Sequence, residues 1–301
     1  MLVLRTALVV FCVGSSCFAA TLAIGPMYIA DSANNLFTVD VVTGHADRIG
    51  GLRAQFADIA FSPSGRLYGI TTTYLYEIDP SDAWSTLIGP HGYGGAGSPY
   101  GLDSLTFTAD GALYAAGNDI LVRIDPATGA GTTVGALSGY RSAGDLAVDT
   151  SGRLLLSTDA GVLVEARPDG SGATAVGSLP YNDIWALAGA ADGTLYGVRS
   201  TNDIVAVDSH TGHATAVSAL HSDSLIGRAW GGGFPDQFAM PEPSTLAIGL
   251  AGALLLAVWH RRPAGGNLRQ SHRNFSEPAH CSWPKATHDG SRIPAQRRPR
   301  R

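Results

Sequence analysis

The feature that most limits what this chain can fold into is a phrase that keeps returning. It reads S-G-R-L-Y-G from Ser64 to Gly69, D-G-A-L-Y-A from Asp110 to Ala115, S-G-R-L-L-L from Ser151 to Leu156 and D-G-T-L-Y-G from Asp192 to Gly197. Met27 and Tyr28 are an earlier partial copy. Counted from Tyr28 through Tyr68, Tyr114, Leu155 and Tyr196, the steps are 40, 46, 41 and 41 residues. A unit this short cannot bury its own apolar surface, so the copies must stack on one another.

Each unit carries four short apolar runs. In one of them Asp145 to Val148 is a strand, Asp149 to Gly152 turns it, Leu154 to Ser157 returns, and Val162 to Ala166 follows a polar loop. Turns such as Asp125 to Gly129 and Asp208 to Gly212 lead to a last strand, seen in the preceding unit at Thr132 to Gly135. Asp and Gly stand there because tight turns need a side-chain acceptor and a positive φ. Four strands in about forty residues predict a β-propeller blade.

The count of blades comes from the ends. Three strands lie between Met27 and Gly50, and a lone inner-strand candidate runs from Leu225 to Trp230. Together they complete one blade, so the expected fold is all-β: a five-bladed β-propeller over residues 24–235, closed by N- and C-terminal strands. Closure removes the exposed edges that an open sheet leaves. An open solenoid or a sandwich is the alternative, but no capping segment stands at either end.

Composition agrees with a turn-rich β protein, with 38 glycines and only 15% charged residues. Residues 1–260 hold ten basic and 23 acidic groups, a formal charge of −13, whereas residues 261–301 hold ten basic groups against Glu277 and Asp289. An acidic body argues against a nucleic-acid partner there. Cys12, Cys17 and Cys281 all fall outside residues 24–235, so neither a disulfide nor a thiol nucleophile is available to the repeats.

If the strand order holds, one face of the ring carries the tight Gly turns. The other collects longer loops with Asp31, Asp58, Asp103, Asp119, Asp145, Asp159, Asp183, Asp203 and Asp223, joined by Asn34, Asn35, Asn118 and Asn202. Turn chemistry alone does not account for this rim, which is read as a binding face built on Asp58, Asp103, Asp119, Asp145, Asp183 and Asp223. Such oxygens suit sugar hydroxyls or Ca²⁺, although Asp and Asn also fill loops simply to brace irregular backbone. No cofactor is required, and Ca²⁺ is the cation the rim would suit.

An insertion from Pro90 to Gly101 adds His91, Tyr93 and Tyr100, expected as exposed groups on the same face. It spells G-x-G-x-x-G at Gly92, Gly94 and Gly97, but Pro99 follows where a nucleotide-binding loop would open a helix. Glu77 and Glu165, the glutamates of the repeats, occupy third-strand positions away from the axis. His210 and His213 sit in and just past a turn, and no G-x-S-x-G elbow supports a serine nucleophile. The expectation is a non-enzymatic chain. The alternative is a metal-dependent hydrolase of lactonase type, with Asp58 or Asp145 needed at the axis.

The two ends speak of export. Arg5, an apolar run from Ala7 to Val13 and small residues after it follow the plan of a secretory signal peptide over residues 1–23, cut after Ala19 or Ala23, with lipoprotein processing at Cys17 as a weaker option. Leu246 to Trp259 makes about 21 Å of helix, short against a hydrocarbon core of about 30 Å. Pro243 suits a helix start, and Arg261 and Arg262 suit the cytoplasmic side.

Pro241-Glu242-Pro243, a short apolar segment and Arg261-Arg262, in that order, resemble the PEP-CTERM sorting signal of proteins exported by Gram-negative bacteria. The resemblance covers residues 240–262. It implies that Pro241, Glu242 and Pro243 are read by an exosortase, that residues 244–260 form a temporary transmembrane helix within a sorting segment 236–262, and that Arg261 and Arg262 are retention charges. The destination it implies is the cell envelope, surface or extracellular matrix, with an exopolysaccharide or surface protein as the propeller's partner. Residues 263–301 depart from the pattern, because such signals normally end soon after the basic cluster; their Pro-, Arg- and His-rich composition predicts a disordered tail.

Overall fold

A computed structural model describes the backbone of residues 6–13, 16–94, 101–224 and 226–238, and the side chains of these from residue 24 onward. Thr6–Val13 and Ser16–Ala23 form an antiparallel pair of their own. The sorting segment's motif, Pro241 to Pro243, its helix and the basic tail lie outside the described residues, as does Tyr100.

From Met27 to Gly233 the chain is a five-bladed β-propeller, five four-stranded antiparallel sheets each in meander order. Blade 1 takes Met27–Asp31, Asn35–Val39 and Ala46–Gly51 from the start of the ring and its inner strand, Ala229–Gly233, from the end. The inner strands of blades 2 to 5 are Asp58–Phe61, Ser104–Phe107, Ser142–Val148 and Ile184–Gly189. Their outer strands are Ser85–Pro90, Gly131–Ala136, Ala173–Ser178 and Ala214–Ala219.

The repeated phrase supplies the second strand of each blade, and its burial explains its composition. Successive side chains point to opposite faces of a strand. Leu67 therefore packs toward blade 1, among Phe56, Ile59 and Ile78, whereas Tyr68 and Ile70 pack toward blade 3 with Leu105 and Phe107. Every strand near the axis is covered on both sides, which is why these runs are continuously apolar rather than alternating. Five apolar clusters result, one for each junction between neighbouring blades. Fully buried rings such as Phe37, Phe61 and Phe107 stabilise their junctions by about 1.5–3 kcal/mol each.

A second repeated element joins blade to blade at the periphery. Each outer strand slips register by one residue against the third strand, between Leu36 and Phe37 in blade 1 and at the equivalent pair in the other four. Beside the slip stands Gly50, Gly89, Gly135 or Gly177, and the next blade's third-to-fourth-strand turn presses onto it. A Cβ on Gly135 would lie 2.6 Å from the Gly170 carbonyl oxygen, and one on Gly177 would overlap that of Thr211. In blade 5 Ser218 takes the place of this glycine and donates to the Val41 carbonyl at 2.7 Å. His221 donates its N–H to the Gly44 carbonyl and accepts the Ala46 N–H across the same seam, so the ring is joined here as elsewhere.

The sequence placed the last inner strand at Leu225–Trp230, on the final apolar residues. The pairing instead runs over Ala229–Gly233, against Tyr28 to Asp31. Three consecutive glycines read as a loop, but they are what the crowded axis accepts. A Cβ on Gly231 would overlap Asp58, and one on Gly232 would overlap Met27.

Candidate functional site

Registers against the repeated phrase align the inner strands residue for residue. Asp58, Ser104, Ala186 and Gly231 each face the fourth residue of their blade's second strand, Ile70, Ala116, Val198 and Ala30, and Asp145 holds the same place one residue before Leu146. These five form one layer around the axis. The residues just before them, Ala57, Asp103, Gly144, Trp185 and Trp230, form the next layer toward the face that carries the long loops.

In the first layer Asp58 and Asp145 are completely buried and hydrogen-bond each other. Asp58 Oδ1 accepts the Ile59 N–H at 2.6 Å and its Oδ2 accepts the Leu105 N–H of the next blade at 2.5 Å. Asp145 repeats the arrangement one blade further on, accepting from Leu146 at 2.6 Å and from Leu187 of blade 5. Burial pushes both carboxyls well above the usual range. The pair as a whole therefore keeps a proton that separated carboxylates would release. Ser104, Ala186 and Gly231 are small where the pair needs room.

This pair does not form a cation site. Its oxygens are occupied by four backbone N–H groups and by each other, whereas Ca²⁺ takes six to eight free oxygen ligands. Among the described residues no group of three or more His, Cys, Asp or Glu is placed to hold a metal ion. Asp58 and Asp145 therefore brace the ring: each carboxylate links its own inner strand to the next.

Asp103, in the layer above, differs. Its Oδ1 is buried without a hydrogen-bond partner. Burial, followed by the partly compensating bond with Ser142, pushes its carboxyl up to about 6. This group exchanges its proton close to neutrality.

The rest of the acidic rim is engaged elsewhere. Asp31 is buried and accepts the N–H groups of Ala33, Asn35 and Gly227. Asp183 and Asp203 hold Arg199 at 3.0 and 3.1 Å, with Tyr181 beneath the guanidinium at 4.2 Å. Asp159 lies 3.8 Å from Arg141, Asp119 is half-buried in its turn, and Asp223 is exposed. Asn34, Asn118 and Asn202 are turn residues after all, with φ of 61°, 51° and 67°. Their carbonyls accept the N–H groups of Leu52, Ser142 and Leu220, holding down the connection that leaves each blade.

His91 and Tyr93 also differ from the expected exposed loop. His91 is buried, with its Nε2 3.2 Å from the Thr71 carbonyl oxygen and its Nδ1 accepting the Tyr93 N–H. Tyr93 stacks on that imidazole and shares a 2.6 Å bond with Thr133, so the His91 side chain ties the insertion to blade 2 and that of Tyr93 ties it to blade 3. Glu77 and Glu165 lie on third strands, paired with Arg66 and with Arg153 and Arg167. His210 and His213 are exposed turn residues.

What remains open at the axial mouth is a cleft of about 520 Å³ between blades 5 and 1, lined by Ser32, Trp185, Asn202, Ile226, Arg228 and Trp230. Both tryptophans are the extra residue of a β-bulge: the pairing skips Trp185 between Ile184 and Ala186, and Trp230 between Ala229 and Gly231. A bulge re-aims its side chain, and here two do so on adjacent inner strands. The walls are fixed by polar bonds. Arg228 N–H donates to Ser32 Oγ at 3.0 Å, and Asn202 Nδ2 donates to the Gly227 carbonyl at 3.0 Å. The Arg228 guanidinium carbon stands 5.9 Å from the centre of the Trp185 ring. Sequence reading missed this cleft. Setting W-A-L-A-G and W-G-G-G-F beneath A-D-I-A-F, D-S-L-T-F and G-D-L-A-V shows two tryptophans in the column that opens the inner strand.

Fold and cleft together define the class: a five-bladed propeller with an aromatic opening beside its axis. No protein-family model and no curated protein matches the chain. Among solved structures, a Bacteroides thetaiotaomicron protein of unknown function is similar at 14% identity and TM-score 0.49, over 71% of this chain and 65% of that one. A virginiamycin B lyase from Staphylococcus aureus matches at 13% identity and TM-score 0.40, over 64% and 70%. A gluconolactonase from Xanthomonas campestris matches at 16% identity and TM-score 0.43, over 66% and 80%. The expectation of a non-enzymatic chain is withdrawn on this finding, since chains of similar shape include a lyase and a lactonase. At these identities no activity passes from them to this one.

Proposed function

We propose that this chain is an exported cell-envelope protein, sorted through Pro241 to Arg262 by a PEP-CTERM/exosortase pathway, whose propeller holds a saccharide in the Trp185–Trp230 cleft. The observation that carries the binding role is the pair of bulges that turn two indole rings into one opening. Indole faces stack on the C–H faces of pyranose rings, while the hydroxyl and amide groups of Ser32 and Asn202 stand at the same wall. The acidic rim first read as the binding face is largely spent on turns and ion pairs. The sorting role is supported by the order of the motif, apolar segment and arginines behind a leader-like N-terminus.

Calorimetric titration of the propeller with a panel of oligosaccharides tests the binding role. Binding that is lost in both Trp185→Ala and Trp230→Ala, with thermal stability kept, is the expected result. Binding indifferent to both substitutions would sink it. Intact mass of the protein from cells with and without exosortase tests sorting; an unchanged mass would remove that part.

A further inference from the structure

Arg228 stands out among the basic residues around the mouth. It is exposed on the cleft wall, and no ion pair among the described residues includes it. Its near neighbour Arg199 is clamped by Asp183 and Asp203. Asp31, the carboxylate that holds the adjoining backbone, is spent on three N–H groups. A guanidinium thus stands without a counter-ion beside two aromatic rings. A planar fork of this kind pairs with a carboxylate through two parallel hydrogen bonds.

The charge of the whole body limits what can carry that carboxylate. Residues 1–260 have a formal charge of −13, and over a Debye length of about 8 Å at physiological salt that field opposes a polyanion. A contact pair is short-ranged and survives it. On the saccharide reading of the cleft, on which this rests, we infer that the ligand is an otherwise neutral glycan bearing an isolated uronic acid. Its carboxylate pairs with Arg228 and its sugar rings stack on Trp230 and Trp185. A densely charged polyuronate would be held less well, because its further carboxylates meet the acidic body with no second free arginine on the cleft wall.

Three tetrasaccharide probes separate the possibilities: xylotetraose, a xylotriose bearing one glucuronic acid, and tetragalacturonate. Titrated into the full propeller, the singly charged probe is expected to bind at least about tenfold tighter than the neutral one, with the polyuronate weaker than the singly charged probe. Arg228→Gln is expected to bring the singly charged probe down to the affinity that the same variant shows for the neutral one, at an unchanged melting temperature; Trp230→Ala is expected to weaken both xylan probes. Equal affinity for neutral and singly charged probes would overturn the inference and leave the saccharide reading standing. Tightest binding of tetragalacturonate would overturn the isolated-charge claim. Binding of none would bring down the saccharide reading and the inference with it.

Discussion

Asp58 and Asp145, on inner strands separated by a whole blade, meet in a hydrogen bond at the centre of the ring, and each also fastens its strand to the one beyond. The fully buried pair shares a proton that two separated carboxylates in the unfolded chain release near the ordinary value of 3.8. Above that value the folded state binds more protons than the unfolded one, so unfolding free energy falls as pH rises toward the folded pKa. This is the reverse of the usual carboxylate case, and stability should be greatest on the acid side of neutrality.

Asp58→Asn tests that relationship. The amide has one acceptor where Asp58 uses two, so one of the Ile59 and Leu105 N–H groups loses its partner, costing about 1–3 kcal/mol. The amide has no proton to lose. The deficit should therefore be largest near pH 5 and shrink toward pH 9, read from urea midpoints at the two values. A deficit that grows with pH would show that the pair is ionised in the folded state.

The outer-strand glycines give a second prediction. Gly177→Ala places a methyl into the Thr211 carbonyl of the next blade, where neither strand can give way without opening a junction. Overpacking of this kind costs about 1–3 kcal/mol. Gly65→Ala provides the contrast: its φ of 80° strains an alanine, but nothing lies within 4 Å of the added carbon. The first should accelerate hydrogen exchange across the junction of blades 4 and 5; the second should act only on its own turn.

The repeat was legible because propeller blades share one internal geometry, and the L-Y phrase marks the strand that is buried on both sides in each of them. Asp and Gly turns were legible for the same local reason. The site was not. Asp58 and Asp145 look like every other loop-edge aspartate in sequence, and only the ring brings them together across an intervening blade. Asn34, Asn118 and Asn202 join the polar rim in sequence without a turn signal of their own, because nothing local shows that their carbonyls hold a connection distant in sequence. Trp185 and Trp230 were hidden among strand residues, since an unbulged strand would bury them. The closing strand was misplaced because three glycines carry no apolar signal; their reason is the crowding by Asp58 and Met27.

Asp103 makes a third prediction, with the same sign but a lower window. Its folded value near 6 lies above the ordinary 3.8, so its contribution is fully present below pH 3.8 and is lost as pH rises through 6. Asp103→Asn removes that loss. The variant should melt above the wild type at pH 8 and show no such advantage at pH 4. Equal melting temperatures at both values would mean that the carboxyl titrates as an exposed one does.

The closing strand separates crowding from mere flexibility. Gly231 and Gly233 lie two residues apart on it, and neither has a positive φ. A Cβ on Gly231 would overlap Asp58, whereas one on Gly233 would sit 3.4 Å from the Phe61 ring, an ordinary contact. If backbone freedom were the reason for the glycines, Gly231→Ala and Gly233→Ala would be equally tolerated. The packing predicts otherwise: Gly231→Ala should lower stability by about 1–3 kcal/mol and disturb the pH dependence set by Asp58. Gly233→Ala should stay within about 0.5 kcal/mol of the wild type. Denaturant midpoints at pH 5 and pH 9 read both effects, and equal losses in the two variants would remove crowding at the axis as the reason this strand is glycine.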